Sequence, residues 1–249
     1  MEGKVGIVTG AGSGIGRASA IAFAREGATV VVADFVSETG EETVKLIHDD
    51  GGEASLILCD ISNEESVAEL VKQTVQKYGR IDWAHNNADI YTPQAYIAES
   101  ETKDWERAMK ANLDGMFFAL KYEIKAMLKC GGGAIVNTTS RSGLTSFHGT
   151  SFYTATKWGV NGMSKTAALE YGKYGIRINS ICPGITLTPH TEKTINQNPE
   201  YKNIIPLGRL SLPEEQANAA VWLCSDKASF ITGVNLAVDG GLEAQSFCI

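Results

Sequence analysis

The chain has 249 residues, 43% hydrophobic and 20% charged, enough length and apolar content for one domain over residues 1–249 with a sizeable core. A net charge of −7, with no basic run longer than two residues, argues against nucleic acid or an anionic membrane surface, since both need clustered Lys and Arg. No apolar run approaches the roughly 18 residues of a membrane span, and the N-terminus lacks a basic segment followed by an apolar one, so a soluble, cytoplasmic protein is expected.

Lys4–Thr9 is a short apolar run and reads as a buried strand. It leads into Thr9-Gly10-Ala11-Gly12-Ser13-Gly14-Ile15-Gly16-Arg17 and then a helix over Ala18–Glu26. Strand, glycine-rich turn and helix form either a tight structural turn or a phosphate cradle. In the second case glycines admit a pyrophosphate to the backbone and the helix N-terminus offers free N–H groups. The spacing Gly-x-x-x-Gly-x-Gly differs from the Gly-x-Gly-x-x-Gly dinucleotide fingerprint, and no Gly-Lys-Ser/Thr marks a P-loop. A second strand, Thr29–Asp34, ends in a carboxylate. Asp34 either caps the helix starting near Ser37 or, in a βαβ unit, accepts hydrogen bonds from both adenosine ribose hydroxyls. It would repel a 2′-phosphate, and neither Ser13 nor Phe35 is basic, so NAD(H) is expected over NADP(H).

A polar-faced helix over Val36–Asp50 and a third strand over Ala54–Cys59 lead to Asp60-Ile61. Val67, Leu70, Val71, Thr74, Val75 and Tyr78 then recur at helical spacing up to a stop at Gly79. The fourth strand, Ile81–His85, contains a histidine expected to be packed rather than catalytic. After it Asn86 reads as a plain turn residue, and Asn87 either meets a ribose or braces the neighbouring strand. Glu101–Cys130 is a long helical region, one helix or two in register. Asn112 inside it competes for backbone hydrogen bonds and marks a kink, a water site or a plain surface position.

The apolar run Ala134–Thr138 is a buried strand ending near Ser140, and the next helix carries Tyr153 and Lys157 one turn apart on one face, continuing to about Tyr174. A tyrosine near pKa ~10 is a poor acid or base, but an adjacent ammonium favours phenolate; a shift of about 3 units is worth about 4 kcal/mol. A strand over Ile176–Ile181 is followed by Cys182-Pro183-Gly184-Ile185-Thr186-Leu187-Thr188. The polar stretch 189–213 reads as an irregular or short-helical substrate lid. A helix over Glu214–Ser225 and a strand over Val234–Val238 complete an α/β, Rossmann-type, doubly wound parallel sheet of about seven strands with helices on both faces. Glycine or polar features follow six of these strands, at the sheet edge where ligands bind in such folds. Five cysteines (Cys59, Cys130, Cys182, Cys224, Cys248) and four histidines (His48, His85, His148, His190) are dispersed, so no metal site is expected, and Cys248 is expected to be exposed.

Taken together, Thr9-Gly10-x-x-x-Gly14-Ile15-Gly16, Asp60, Asn86-Asn87-Ala88, Asn112, Ser140, Tyr153-x-x-x-Lys157 and Pro183-Gly184 with Thr188 resemble the short-chain dehydrogenase/reductase family nearly end to end. The resemblance implies an NAD(H)-dependent enzyme interconverting ketones and secondary alcohols. Tyr153 is then the proton-transfer group, with Lys157 lowering its pKa and holding the nicotinamide ribose. Ser140 binds the substrate oxygen, and Asn112 holds a water linking Lys157 to solvent. Gly10, Ser13, Ile15, Asp34, Asp60, Ile61 and Asn87 hold the adenosine half and the diphosphate, with Gly14, Gly16 and Phe35 in the same cofactor-binding set. Thr186 and Thr188, with Pro183 and Gly184, hold the nicotinamide end.

Ser142, Phe147 and Ile185 are the candidate substrate contacts, and Arg141 is a loose candidate for an anionic substrate. The substrate is a small-molecule ketone or secondary alcohol, with sugars, cyclic diols, steroids and 3-oxoacyl thioesters as rivals. The usual Asn-Asn-Ala-Gly of the family is here Asn-Asn-Ala-Asp89, which costs about 1–2 kcal/mol if that position needs φ > 0. Family members are often tetramers, and the apolar end of the tail 241–249 fits burial against another subunit. A non-catalytic NAD-binding regulator would be marked by loss of Tyr153 or Lys157, and both are present.

Overall fold

The computed structural model describes residues 1–245. Its strands are β1 (Val5–Thr9), β2 (Thr29–Asp34), β3 (Glu53–Leu58), β4 (Trp83–Asn86), β5 (Gly133–Thr138), β6 (Ile176–Pro183) and β7 (Asn235–Val238). Its helices are α1 (Gly14–Arg25), α2 (Ser37–Asp49), α3 (Glu64–Tyr78), α4 (Thr102–Ala108), α5 (Gly115–Cys130), α6 (Ser151–Tyr171), α7 (Glu192–Gln197) and α8 (Pro213–Cys224). The strands form one parallel sheet in the order β3-β2-β1-β4-β5-β6-β7. The order reverses between β1 and β4, which opens a crevice at the carboxyl ends of those two strands.

The strands are apolar on both faces because both are covered. On one side Phe23 of α1, Ile47 of α2 and Leu223 of α8 pack on Val8, Val30 and Val136. On the other, Leu70 of α3, Ile124 of α5 and Val160 of α6 pack on Ile7, Ile135 and Ile178. The long helical region expected over Glu101–Cys130 is α4 and α5 joined by one wide π turn, Met109–Asp114, which contains Asn112. Such an inserted residue re-aims the side chains on either side of it. α6 gives way to a short 3-10 turn, Gly172–Tyr174, ahead of Gly175. The stretch 189–213 carries α7 and a 3-10 turn, Pro199–Ile204, pinned by the buried side chains of Ile195 and Ile205. The apolar end of the tail and Cys248 fall at residues 246–249, outside the described residues.

Asn86 is not a turn residue. It closes β4, is buried, and its Nδ2 donates to Glu123 Oε2 (2.8 Å) and to Asn137 Oδ1 (3.1 Å). Nothing local distinguishes it from a turn asparagine; the partner carboxylate lies 37 positions away on α5. Burial pushes the Glu123 carboxyl up to about 7 from an ordinary 4.5, against the opposing pull of the Asn86 hydrogen bond. The folded state therefore holds this proton more tightly than the unfolded chain. The stability it confers is present below about pH 4.5 and is lost as pH rises through about 7. On that account Glu123→Gln should flatten the fall in stability between pH 5 and 8, which for the native chain amounts to about 3 kcal/mol. Urea melts across that range measure it, and parallel curves for the two proteins would count against the assignment. His85 is packed, as expected: its Nε2 lies 2.8 Å from Thr138 Oγ1, and burial lowers its pKa to about 3.

Candidate active site

The crevice is floored by the turn after β1. Gly10 has φ +64°, and a Cβ there would sit 2.9 Å from the Ala88 Cα. Gly16, in the first turn of α1, packs against the Gly10 carbonyl with no space for a side chain. Ser13 precedes α1 in an extended conformation, its side chain makes no capping hydrogen bond, and no acidic residue occupies the helix's first turn. The N–H groups there remain free to meet an anion. These are the requirements of a diphosphate cradle, so the residues present fit a dinucleotide.

Asp34 closes β2 beside this turn. Its Oδ2 accepts from the Gly12 N–H (2.7 Å) and its Oδ1 from the Val36 N–H (3.0 Å). It braces the local turn rather than capping α2, whose N-cap Val36 has no side-chain cap, and its carboxylate also lines the cleft. The nearby guanidinium of Arg17 is committed elsewhere, to the Gly12 carbonyl (2.6 Å), Glu42 (2.6 Å) and Thr43 Oγ1 (3.1 Å). Asp60 accepts from the Ser62 N–H and hydroxyl. The Asn87 amide turns inward to β1: its Nδ2 donates to the Thr9 carbonyl (3.3 Å), and the Asn87 and Ala88 N–H groups donate to Thr9 Oγ1. In this arrangement Asn87 braces the neighbouring strand, one of its two expected roles.

Ser140 follows β5. Its Oγ accepts the Ser142 N–H at 3.0 Å, which leaves the hydroxyl proton free to donate into the cleft. α6 holds Tyr153 and Lys157 one turn apart, and the lysine, 2% exposed, lies with its Nζ 5.1 Å from the Tyr153 ring centroid. That Nζ also donates to the Thr138 carbonyl at 3.3 Å, tying α6 to the end of β5. Asn112 clamps the loop opposite: its Oδ1 accepts the Ile90 N–H and its Nδ2 donates to the Ile90 carbonyl, both at 2.8 Å.

Asp89 stands in that loop, and two expectations change there. Among the described residues every positive φ belongs to glycine, so Asp89 carries no left-handed strain. Its carboxylate instead reaches into the Tyr153–Lys157 pair. Asp89 Oδ2 lies 2.8 Å from Lys157 Nζ and accepts the Tyr153 hydroxyl at 3.1 Å. The expected depression of the Tyr153 pKa by Lys157 is reversed in this arrangement. Burial, then the Asp89 charge, then neighbouring Tyr91 hold the phenol well above its ordinary value. An ammonium already paired with a carboxylate has little field left to stabilise a phenolate.

The cleft encloses about 540 Å³. Its walls bring together Gly10, Ser13, Gly14, Ile15, Asp34, Asp60, Ile61, Asn87, Ser140, Tyr153, Pro183, Gly184, Thr186 and Thr188, with Phe35, 74% exposed, at the rim. Gly16, Asn112 and Lys157 support this lining from behind. The candidate substrate contacts Ser142, Phe147 and Ile185 are not part of it. Ser142 is turned into the bend after β5, and the Phe147 ring lies 4.7 Å from the Arg141 guanidinium beside a separate shallow groove with Tyr96 and Trp158. Instead, Tyr91 and His190 line the cleft beside Tyr153, with ring centroids 5.0 Å (Tyr91–Tyr153) and 4.4 Å (Tyr91–His190) apart. Both come from loops after strand ends, where no periodicity announces which way a ring will turn.

Residues 10–243 match the family model described as enoyl-(acyl carrier protein) reductase. The chain is 43% identical to the 2,5-dichloro-2,5-cyclohexadiene-1,4-diol dehydrogenase of Sphingobium indicum over 98% of both chains. It is 40% identical to the cyclohexanol dehydrogenase of an Acinetobacter strain, over 98% of this chain and 97% of that one. The structure superimposes on levodione reductase with a TM-score of 0.94 and 34% identity, covering 99% of this chain and 100% of the other.

Proposed function

Because the chain belongs to the short-chain dehydrogenase/reductase family and is thus an oxidoreductase of CH–OH and C=O groups, we propose that it interconverts a cyclic secondary alcohol and its ketone with NAD(H). The observation that carries this reading is the single cleft in which a glycine cradle with Asp34 at one end meets Ser140 and Tyr153 at the other. Two of the relatives are by name a cyclohexadiene diol dehydrogenase and a cyclohexanol dehydrogenase, and the aromatic rings of Tyr91 and His190 offer an apolar wall for such a ring; a 3-oxoacyl-acyl-carrier-protein reductase at 40% identity supports the thioester as the rival substrate.

The cradle Gly10–Gly16 would hold the diphosphate, Asp34 the adenosine ribose, and Thr186 and Thr188 the nicotinamide end. When bound, the nicotinamide accepts or supplies the hydride. The rest of the chemistry belongs to the protein. Ser140 donates to the substrate oxygen and fixes its position. Tyr153 gives that oxygen a proton in reduction and takes the alcohol proton in oxidation. Lys157, one turn along α6, would hold the nicotinamide ribose. The stretch 189–213 lies over the end of β6 and serves as the lid. We further propose a homo-tetramer; exposed Phe117 and Leu128 of α5 and Trp158 and Leu169 of α6 support it, and light scattering reads it directly.

The test is NADH oxidation at 340 nm against cyclohexanone and related cyclic ketones, with NADPH in parallel. The expected result is a kcat/KM for NADH at least about tenfold above that for NADPH, the worth of one charge-assisted contact. Turnover with NADPH alone would overturn the cofactor assignment. Tight NADH binding without turnover of any ketone or alcohol would overturn the enzymatic one.

A further inference from the structure

We propose that Asp89 is a positioning residue that holds Tyr153 in its phenol form and occupies Lys157, so that this enzyme is set for ketone reduction near neutral pH and oxidises alcohols only at higher pH. The proposal stands on geometry. One carboxylate oxygen, Asp89 Oδ2, touches both members of the catalytic pair, Lys157 Nζ at 2.8 Å and the Tyr153 hydroxyl at 3.1 Å. The carboxylate is held there from its own loop, because Asn112 clamps the adjacent Ile90 through both its N–H and its carbonyl. The side chain is 22% exposed and stands at the wall of the cleft, beside the position a substrate oxygen must reach.

An ionised carboxylate accepts hydrogen bonds and donates none. Next to Asp89, Tyr153 keeps a favourable partner only while it carries its proton, and a phenolate there would face a like charge at hydrogen-bond distance. Reduction starts from the phenol, so Asp89 favours the form that reduction needs. Oxidation needs a proton acceptor at the same atom, so Asp89 opposes it. The direction in which Tyr153 is shifted, with burial first and Asp89 next among its causes, agrees.

The other charged and titratable groups around this point do not replace Asp89. Among the described residues Lys157 on α6 is the one cation paired with Asp89, and it is thereby already engaged. Tyr91, stacked on Tyr153, is itself pushed up to about 12 by burial and by Asp89. His190 reaches Tyr91 rather than Tyr153. Arg107 of α4, Lys110 of the π turn, and Asp34 and Asp60 also line the cleft, and among the described residues none of them hydrogen-bonds Tyr153 or Asp89. Cys182 of β6, behind Lys157, is held up by its own burial and hydrogen-bonds Thr139.

This inference rests on the reading of Tyr153 as the proton-transfer group, and the experiment separates the two. Full-length native enzyme, Asp89→Asn, Asp89→Glu and Tyr153→Phe are compared for oxidation of cyclohexanol and reduction of cyclohexanone between pH 5 and 10. Asp89→Asn keeps the shape and removes the charge. The acidic limb of its oxidation profile is expected one to two pH units lower than that of the native enzyme, and its kcat for oxidation at pH 7 about tenfold higher. Asp89→Glu, which restores the charge, should move the limb back toward the native position.

A readout independent of turnover is the ζ-carbon NMR titration of labelled tyrosines, with the Tyr153 signal assigned by its loss in Tyr153→Phe. That signal should titrate at lower pH in Asp89→Asn. Should that variant fold poorly, Asp89→Gly takes its place in both measurements. A native oxidation limb and a native Tyr153 titration in a folded Asp89→Asn or Asp89→Gly, with Tyr153→Phe inactive, would refute the role of Asp89. A Tyr153→Phe that still turns over would refute the underlying reading instead.

Discussion

Tyr153→Phe is expected to lower kcat for both ketone reduction and alcohol oxidation by about 10²–10⁴-fold, the range that a positioned proton-transfer group supplies. The substitution removes one oxygen and leaves the ring, so the stack with Tyr91 and the buried face of α6 survive. Two things are lost, the proton carried to the substrate oxygen and the hydrogen bond to Asp89. NADH binding, read by quenching of protein fluorescence, should hold within a few-fold, because the glycine cradle and Asp34 lie at the other end of the cleft. A loss confined to KM with kcat intact would mean that Tyr153 only binds substrate. Loss of NADH binding together with turnover would mean instead that the hydroxyl builds the cofactor site.

Asp34→Ser should move the ratio of kcat/KM for NADH over NADPH by about 100-fold toward NADPH. The native carboxylate offers charge-assisted acceptors to a ribose diol, each worth about 1.5–3 kcal/mol, and repels a 2′-phosphate. Serine removes both effects while remaining small enough for the turn. The change also deletes the bond from the Gly12 N–H, so part of the loss with NADH reflects a looser glycine turn. The NADPH arm separates the contributions: loosening lowers both cofactors, whereas loss of the charge raises NADPH relative to NADH. Arg17 is not free to meet a 2′-phosphate in this structure, because its guanidinium is held by Glu42 and the Gly12 carbonyl. An unchanged cofactor ratio in Asp34→Ser would show that discrimination lies elsewhere.

The amino-acid sequence by itself determined the strands and their parallel order of succession, and placed their ends to within two residues. The interiors of strands such as Val30–Ala33 are apolar throughout because both sheet faces are covered, and that pattern is local. The four-residue step from Tyr153 to Lys157 and the spacing of Gly10, Gly14 and Gly16 are local too, so those candidate positions were legible before any coordinates. Tertiary structure alone decided how loop side chains are aimed. Asn86 reads as a turn residue until α5 brings Glu123 against it, and Phe147 reads as a substrate contact until the bend after β5 carries it away from the cleft. Asp89 stands out in the sequence only as a departure from the family's glycine. Its contact with Lys157 spans 68 positions and depends on Asn112 clamping a loop from the π turn. A helix or strand fixes where its side chains point through its own repeat, whereas a loop takes its side-chain directions from whatever packs around it.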